Sequence, residues 1–156
     1  MSANGRAWAL AGILCAGVVA ADQAIKATIE AHLFPGEDVD VLGPFSLTLS
    51  HNRGVAFGLA GGAGLGLVLV TVAALAVIAY IFSRDPRRRG IWVAAGLLAG
   101  GALGNLIDRL VAGEVTDYVV VGSWPAFNLA DVAITAGVLS MVWIYLRDAE
   151  PEAESG

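Results

Sequence analysis

The chain has 156 residues, of which 57% are hydrophobic and only 15% charged, with a formal net charge of −5. Soluble domains normally carry about a quarter charged residues, and this chain's mean hydropathy is +0.73, so an ordinary soluble domain is excluded. No basic stripe offers a surface for nucleic acid, and the lone Cys15 rules out an intramolecular disulfide and a cysteine-based metal site.

The apolar residues are gathered in blocks long enough to cross a bilayer, which takes about 20 residues. The predicted class is an all-α integral membrane protein. It forms a single membrane domain over 1–156, with four transmembrane helices at about 8–29, 60–82, 90–110 and 127–146. A small extracytoplasmic β element is expected between helices one and two. The tail, 148–156, with Asp148, Glu150, Glu152 and Glu154, reads as solvated.

In the first block, Arg6 and the run Ala7–Ala21 have the shape of a signal peptide. Asp22-Gln-Ala-Ile-Lys26 continues the same helix, so an uncleaved span is expected, with Cys15 as a small apolar residue inside it. The uncharged part is too short to cross alone, which puts Asp22 and Lys26 near the interface. Spaced by four with the acid first, they share a helical face in the favourable order. An interfacial ion pair with a snorkelling lysine fits them as well as a functional role does.

The interval 34–59 is broken by Pro35-Gly36. Val39-Asp-Val-Leu and Phe45-Ser-Leu-Thr-Leu-Ser alternate apolar and polar around Gly43-Pro44, which predicts a hairpin. A lone hairpin is marginal in water, so this one should rest on the membrane or the helix ends. His51-Asn52-Arg53-Gly54 follows, and His51 alone reads as a surface residue. The second span is uncharged and rich in small residues suited to close packing in lipid. The loop after it carries Arg84, Arg87, Arg88 and Arg89. That bias places it in the cytoplasm, and with it both termini. The 34–59 and 111–125 intervals then lie outside.

This topology brings Asp22, Lys26, Asn52, Arg53, Asn105, Asp108, Arg109, Asp117, Asn128 and Asp131 to one level, at the outer ends of the helices. Carboxylates at a bilayer edge are costly and mark function by default. Two that approach closely cannot easily both ionise, and the pair titrates as a unit. Such a pair supplies a base for water and an acid for a carbonyl, as in aspartic proteases. Asn105, Asp108 and Arg109 share a helical face and read as a supporting network, with Arg109 expected to pair with a carboxylate. No zinc spacing, HExxH or phosphate loop is present, so neither metal nor cofactor is expected. A proton-conducting protein and a structural membrane partner are the other readings of such a cluster.

At these residues the chain resembles lipoprotein signal peptidase, also called signal peptidase II. The D-Q-x-x-K block matches Asp22, Gln23 and Lys26. N-x-G-x-A-F-G matches Asn52, Gly54, Ala56, Phe57 and Gly58. G-G-x-x-G-N-x-x-D-R matches Gly100, Gly101, Gly104, Asn105, Asp108 and Arg109. V-x-D-[FY] followed by F-N-x-A-D matches Val115, Asp117, Tyr118, Phe127, Asn128, Ala130 and Asp131. The resemblance implies an aspartyl endopeptidase of the bacterial inner membrane, with Asp117 and Asp131 as a metal-free catalytic dyad. Its partners would be membrane lipid and diacylglyceryl-modified prolipoproteins, cleaved just before the lipidated cysteine. Asp22, Lys26, Asn52, Gly54, Asn105, Asp108, Arg109, Asn128 and Ala130 would line or brace the substrate site. The 34–59 interval would form a small sheet cradling the substrate. Tyr118, where phenylalanine is more usual, and a short Asp117–Asp131 connection are the departures.

Overall fold

The computed structural model describes residues 2–54 and 63–149. Ala56, Phe57 and Gly58 of the second motif, the start of the second predicted span and the tail beyond 149 lie outside the described residues. The order of elements is α1 (Ala3–His32), β1 (Asp38–Leu42), β2 (Phe45–Asn52), α2 (Ala63–Arg84), α3 (Ile91–Val111), β3 (Val115–Val121) and α4 (Leu129–Ala149). All four helices are long and apolar enough to cross a membrane. The fold class is the expected one.

The bundle is organised around α3, which packs against the other three helices and buries far more of its span than any of them. Small residues allow this. Cβ positions built on Gly96 and Gly100 fall about one bond length inside contact with α1, at 2.9 Å from the Ala11 carbonyl and 2.7 Å from Val18 Cβ. On the α4 side, a Cβ at Gly101 would stand 2.4 Å from the carbonyl of Ala130. Gly101→Ala is therefore expected to cost about 1–3 kcal/mol of stability and to displace the start of α4. Gly12→Ala, which lies inside α1 and meets nothing within 4 Å, should stabilise by up to about 1 kcal/mol; thermal unfolding of the two variants in detergent checks the contrast. Cys15 is half-buried beside a groove shared by α1, α2 and α3 rather than enclosed.

The hairpin β1–β2 is present, but it is not alone. The 111–125 interval, read from sequence as a loop, contains β3, which pairs antiparallel with β2 to make a sheet of order β1-β2-β3. Val115–Val121 is almost all β-branched or aromatic, which favours a strand. It lacks the alternation that signals one because its first four residues are all buried. Ile29, Leu49 and Tyr118 form a buried cluster with Leu33, Leu47, Val119 and Leu129 packed on it. Burying each large apolar side chain contributes roughly 1.5–3 kcal/mol, enough to hold a marginal sheet against the ends of α1 and α4.

Candidate active site

β3 and α4 are joined by a tight reversal. Phe127 forms an isolated bridge with Val119, with N–H···O bonds of 2.9 and 3.0 Å in the two directions. This sets Asn128 directly beside Asp117. On the other side, Ser50 of β2 is paired with Asp117, so Asn52, two residues along, presents its side chain to the same face.

Asn128 is the first residue of a reciprocal cap on α4. Its Oδ1 accepts the Asp131 N–H at 2.9 Å, and its own backbone N–H donates to Asp131 Oδ2 at 3.3 Å. This is the capping-box arrangement with aspartate in the third position. The remaining amides of that first turn are also held: Leu129 N–H donates to the Tyr118 hydroxyl at 3.0 Å, and Ala130 N–H to Asp22 Oδ1 at 3.0 Å. The helix start that carries Asp131 is thus clamped by residues from α1 and β3.

The two aspartates share these supports. Asp117 accepts from Asn128 Nδ2 at 2.7 Å and from Asn52 Nδ2 at 3.1 Å. Asp131 accepts from Asn105 Nδ2 at 2.8 Å, and Asn105 Oδ1 in turn accepts from Asn128 Nδ2 at 3.1 Å. Gly54 explains the pose of Asn52. Its N–H donates to Asn52 Oδ1 at 2.9 Å, which turns the amide nitrogen toward Asp117, and its φ of 71° suits glycine. Burial pushes Asp117 up to about 6, and the charge of Asp131 adds to the rise; the Asn52 and Asn128 amides and the Lys26 charge work against it.

Beneath lies a buried ionic tier. Lys26 Nζ contacts Asp22 at 2.7 Å and Asp108 at 2.6 Å and donates to Asn105 Oδ1 at 3.2 Å. Asp22 is fully buried and Lys26 3% exposed, so the snorkelling interfacial pair is overturned: the lysine is drawn inward by two carboxylates and an amide. Ala130 is completely buried, with its Cβ 3.4 Å from where a Cβ on Gly104 would stand. A larger side chain there would separate α3 from α4.

Arg109 departs from expectation. Its Nη1 donates to the Asn105 carbonyl at 3.2 Å on its own helix, and among the described residues it pairs with no carboxylate. Instead it lines, with Asn105 and Asp131, a cavity of about 620 Å³ between α2, α3 and α4 whose other walls are apolar but for Thr71. A second cavity of about 380 Å³, beside Trp124 and Phe127, also reaches Asp131. Arg53 is held by Glu114 at 2.7 Å, away from the aspartates. Its guanidinium keeps the Glu114 carboxyl below its usual range.

The sequence reading left three residues outside the site. Gln23 donates to Asp108 Oδ1 at 2.8 Å, the Thr116 hydroxyl donates to Glu30 at 2.6 Å, and Tyr118 caps α4. Gln23 and Tyr118 stand inside the matched motifs, which was signal enough; nothing local distinguishes Thr116.

The family model for signal peptidase (SPase) II matches residues 14–147. The chain belongs to the signal peptidase II family. A lipoprotein signal peptidase from Pelotomaculum thermopropionicum is 41% identical over 144 residues, 91% of this chain and 95% of the relative. One from Moorella thermoacetica is 42% identical over 134 residues, 85% and 89% of the two chains. Among solved structures, a bacterial membrane enzyme determined by the in meso method at 2.3 Å resolution superposes with a TM-score of 0.83 at 31% identity. It covers 94% of this chain, which covers 93% of it. A second, at 1.9 Å, gives 0.79 at 30% identity, with 89% and 94% covered. As a signal peptidase II family member the protein is a membrane peptidase, and the four-helix bundle with its three-stranded sheet is the frame in which the aspartates sit.

Proposed function

We propose that this chain is an aspartyl endopeptidase that removes signal peptides from diacylglyceryl-modified prolipoproteins, cutting before the lipidated cysteine. The observation that carries the reading is Asn128, a fully buried residue whose side-chain amide holds Asp117 while its backbone N–H holds Asp131. One residue thereby ties the two carboxylates to one place. The two carboxylates act as a coupled pair, and burial favours the protonated form of Asp117. Asp131 takes a proton from the attacking water while Asp117 donates its own to the scissile carbonyl. The resulting tetrahedral intermediate collapses with proton transfer to the leaving amine. Asn52 and Asn128 hold Asp117, and Gly54 fixes the pose of Asn52. Asn105 holds Asp131 and is itself held by Lys26, with Asp22, Asp108 and Ala130 fixing the helix ends. Arg109, free of a carboxylate partner among the described residues, faces the apolar cavity where substrate would enter from the lipid.

The arginine-rich loop, with Arg84 and Arg87–Arg89, supports a topology with both termini in the cytoplasm of a bacterial inner membrane and the aspartates on the extracytoplasmic side. The exposed Phe34, Leu42, Phe45 and Trp124 suit a sheet resting in the outer interface. Purified protein incubated with a lipidated prolipoprotein should release the signal peptide and leave the unlipidated precursor intact. Absence of mature product from the wild type would end the proposal.

A further inference from the structure

A pocket that carries two arginines at the other end of the bundle serves no part of the peptidase reading. Between the start of α3 and the end of α4 lies a cavity of about 470 Å³. Arg89, Arg147 and Ser140 line it, and Val93, Leu139 and Trp143 form its apolar part. Ser140 and Arg147 are seven residues apart on α4, so the arginine stands about 10 Å nearer the helix end than the hydroxyl. Charge is therefore outermost, a hydroxyl lies deeper, and apolar side chains surround it.

The hydroxyl is unusual within the bundle. Thr28, Thr71, Ser83 and Thr135 each donate to a carbonyl of their own helix, at 2.7–2.8 Å. Ser140 is the remaining helical serine or threonine, is half-buried, and makes no hydrogen bond among the described residues, so in lipid its hydroxyl is available to a partner from outside the chain. The charge is equally one-sided. Asp148 is held by Arg88 at 2.7 Å and by Arg147 at 2.9 Å. One carboxylate is thus shared by two arginines, and Arg89 has no carboxylate partner among the described residues. Arg88 lies over the Tyr145 ring at 4.1 Å, which turns it away from the cavity and leaves Arg89 and Arg147 to serve it.

We propose that this cavity binds one anionic phospholipid of the surrounding leaflet, its phosphate between Arg89 and Arg147 and its glycerol oxygens against Ser140. Its acyl chains run along Val93, Leu139 and Trp143. Arginine suits a phosphodiester because its planar fork donates two parallel hydrogen bonds, and basic pockets between membrane helices take anionic headgroups. A free phosphate would use the charge and leave the apolar wall empty, and a zwitterionic lipid would bring an ammonium against the arginines. The site stands whether or not the aspartates cleave peptide.

Full-length protein in detergent, titrated with phosphatidylglycerol or phosphatidylcholine and read by native mass spectrometry, tests this. Each arginine near a membrane surface is worth roughly a fivefold change in anionic-lipid affinity. Phosphatidylglycerol is expected to bind at least tenfold tighter than phosphatidylcholine, by roughly the product of the two arginines. Arg89→Gln and Arg147→Gln should each lose roughly fivefold, and Ser140→Ala a smaller part. Arg87→Gln removes the same charge from the same loop outside the cavity and should change affinity little. Equal losses in all three arginine variants would reduce the effect to diffuse charge and overturn the site, as would equal affinity for the two lipids. Displacement of the lipid by millimolar inorganic phosphate would overturn its lipid character.

Discussion

Asp117→Asn is expected to abolish peptide cleavage, by roughly ten-thousand-fold, while leaving the helices in place. The substitution removes the acid of the pair and, because the two carboxylates act together, also the proton balance on which Asp131 depends. The fold should gain from it. Asp117 is 3% exposed and burial raises it to about 6 from its ordinary value of 3.8. The folded protein therefore binds that proton more tightly than the unfolded chain does. Stability contributed this way is present below about pH 4 and is lost as pH rises through about 6. Asparagine cannot ionise and escapes the loss, so Asp117→Asn should be more stable than wild type at pH 8, by about 1–2 kcal/mol after solvent screening. At pH 4 the two should match. Cleavage of a lipidated prolipoprotein and thermal unfolding at the two pH values provide the readouts. A variant that still turns over would remove Asp117 from the chemistry, and one destabilised at pH 8 would show its charge to be welcome in the fold.

Lys26→Met carries the largest expected cost in stability. It keeps the length of the side chain and strands Asp22 and Asp108, which are 0% and 9% exposed, with no cation between them. Breaking a buried ion pair from one side costs about 3–5 kcal/mol, on the order of 10 °C in Tm for a chain of this size. The loss should extend to turnover, because Lys26 also holds Asn105 and Asn105 holds Asp131. Adding Asp108→Asn should recover part of the stability by removing one of the stranded charges, a non-additivity that a double-mutant cycle measures. Full additivity would mean that the lysine and Asp108 do not act on one another.

The two variants probe different layers of one arrangement. The pair of aspartates is held by amides, which orient without adding net charge. The ionic tier beneath neutralises itself only in part: Asp22 and Asp108 against Lys26 leave one formal negative charge, met by the Gln23 amide at 2.8 Å. That tier sets where α1 and α3 meet the start of α4. The Asp22 bond to the Ala130 amide carries its position to Asp131 one residue further on. Gly101 and Gly104 permit the approach, which is why a methyl group at Gly101 should reach both stability and turnover.

Much of this was legible in the residues alone. The four apolar blocks, the arginine-rich loop and the gathering of carboxylates and amides at one level follow from what each residue costs in lipid, a property it carries with it wherever it lies. The matched motifs named the two aspartates and most of their supports for the same reason: they are strings of adjacent residues. Pairing is different. Lys26 meets Asn105 across 79 positions and Asp22 meets Ala130 across 108, and only helix packing decides such contacts. Spacing alone left Lys26 free to snorkel and gave Arg109 a carboxylate it does not take. β3 escaped notice because alternation marks a strand with one wet face, and the first half of this one is covered on both. Composition could place the polar groups at the edge of the membrane; only the tertiary structure could decide which of them hold one another, because hydrogen bonds are set by distances of a few tenths of an ångström that no local pattern encodes.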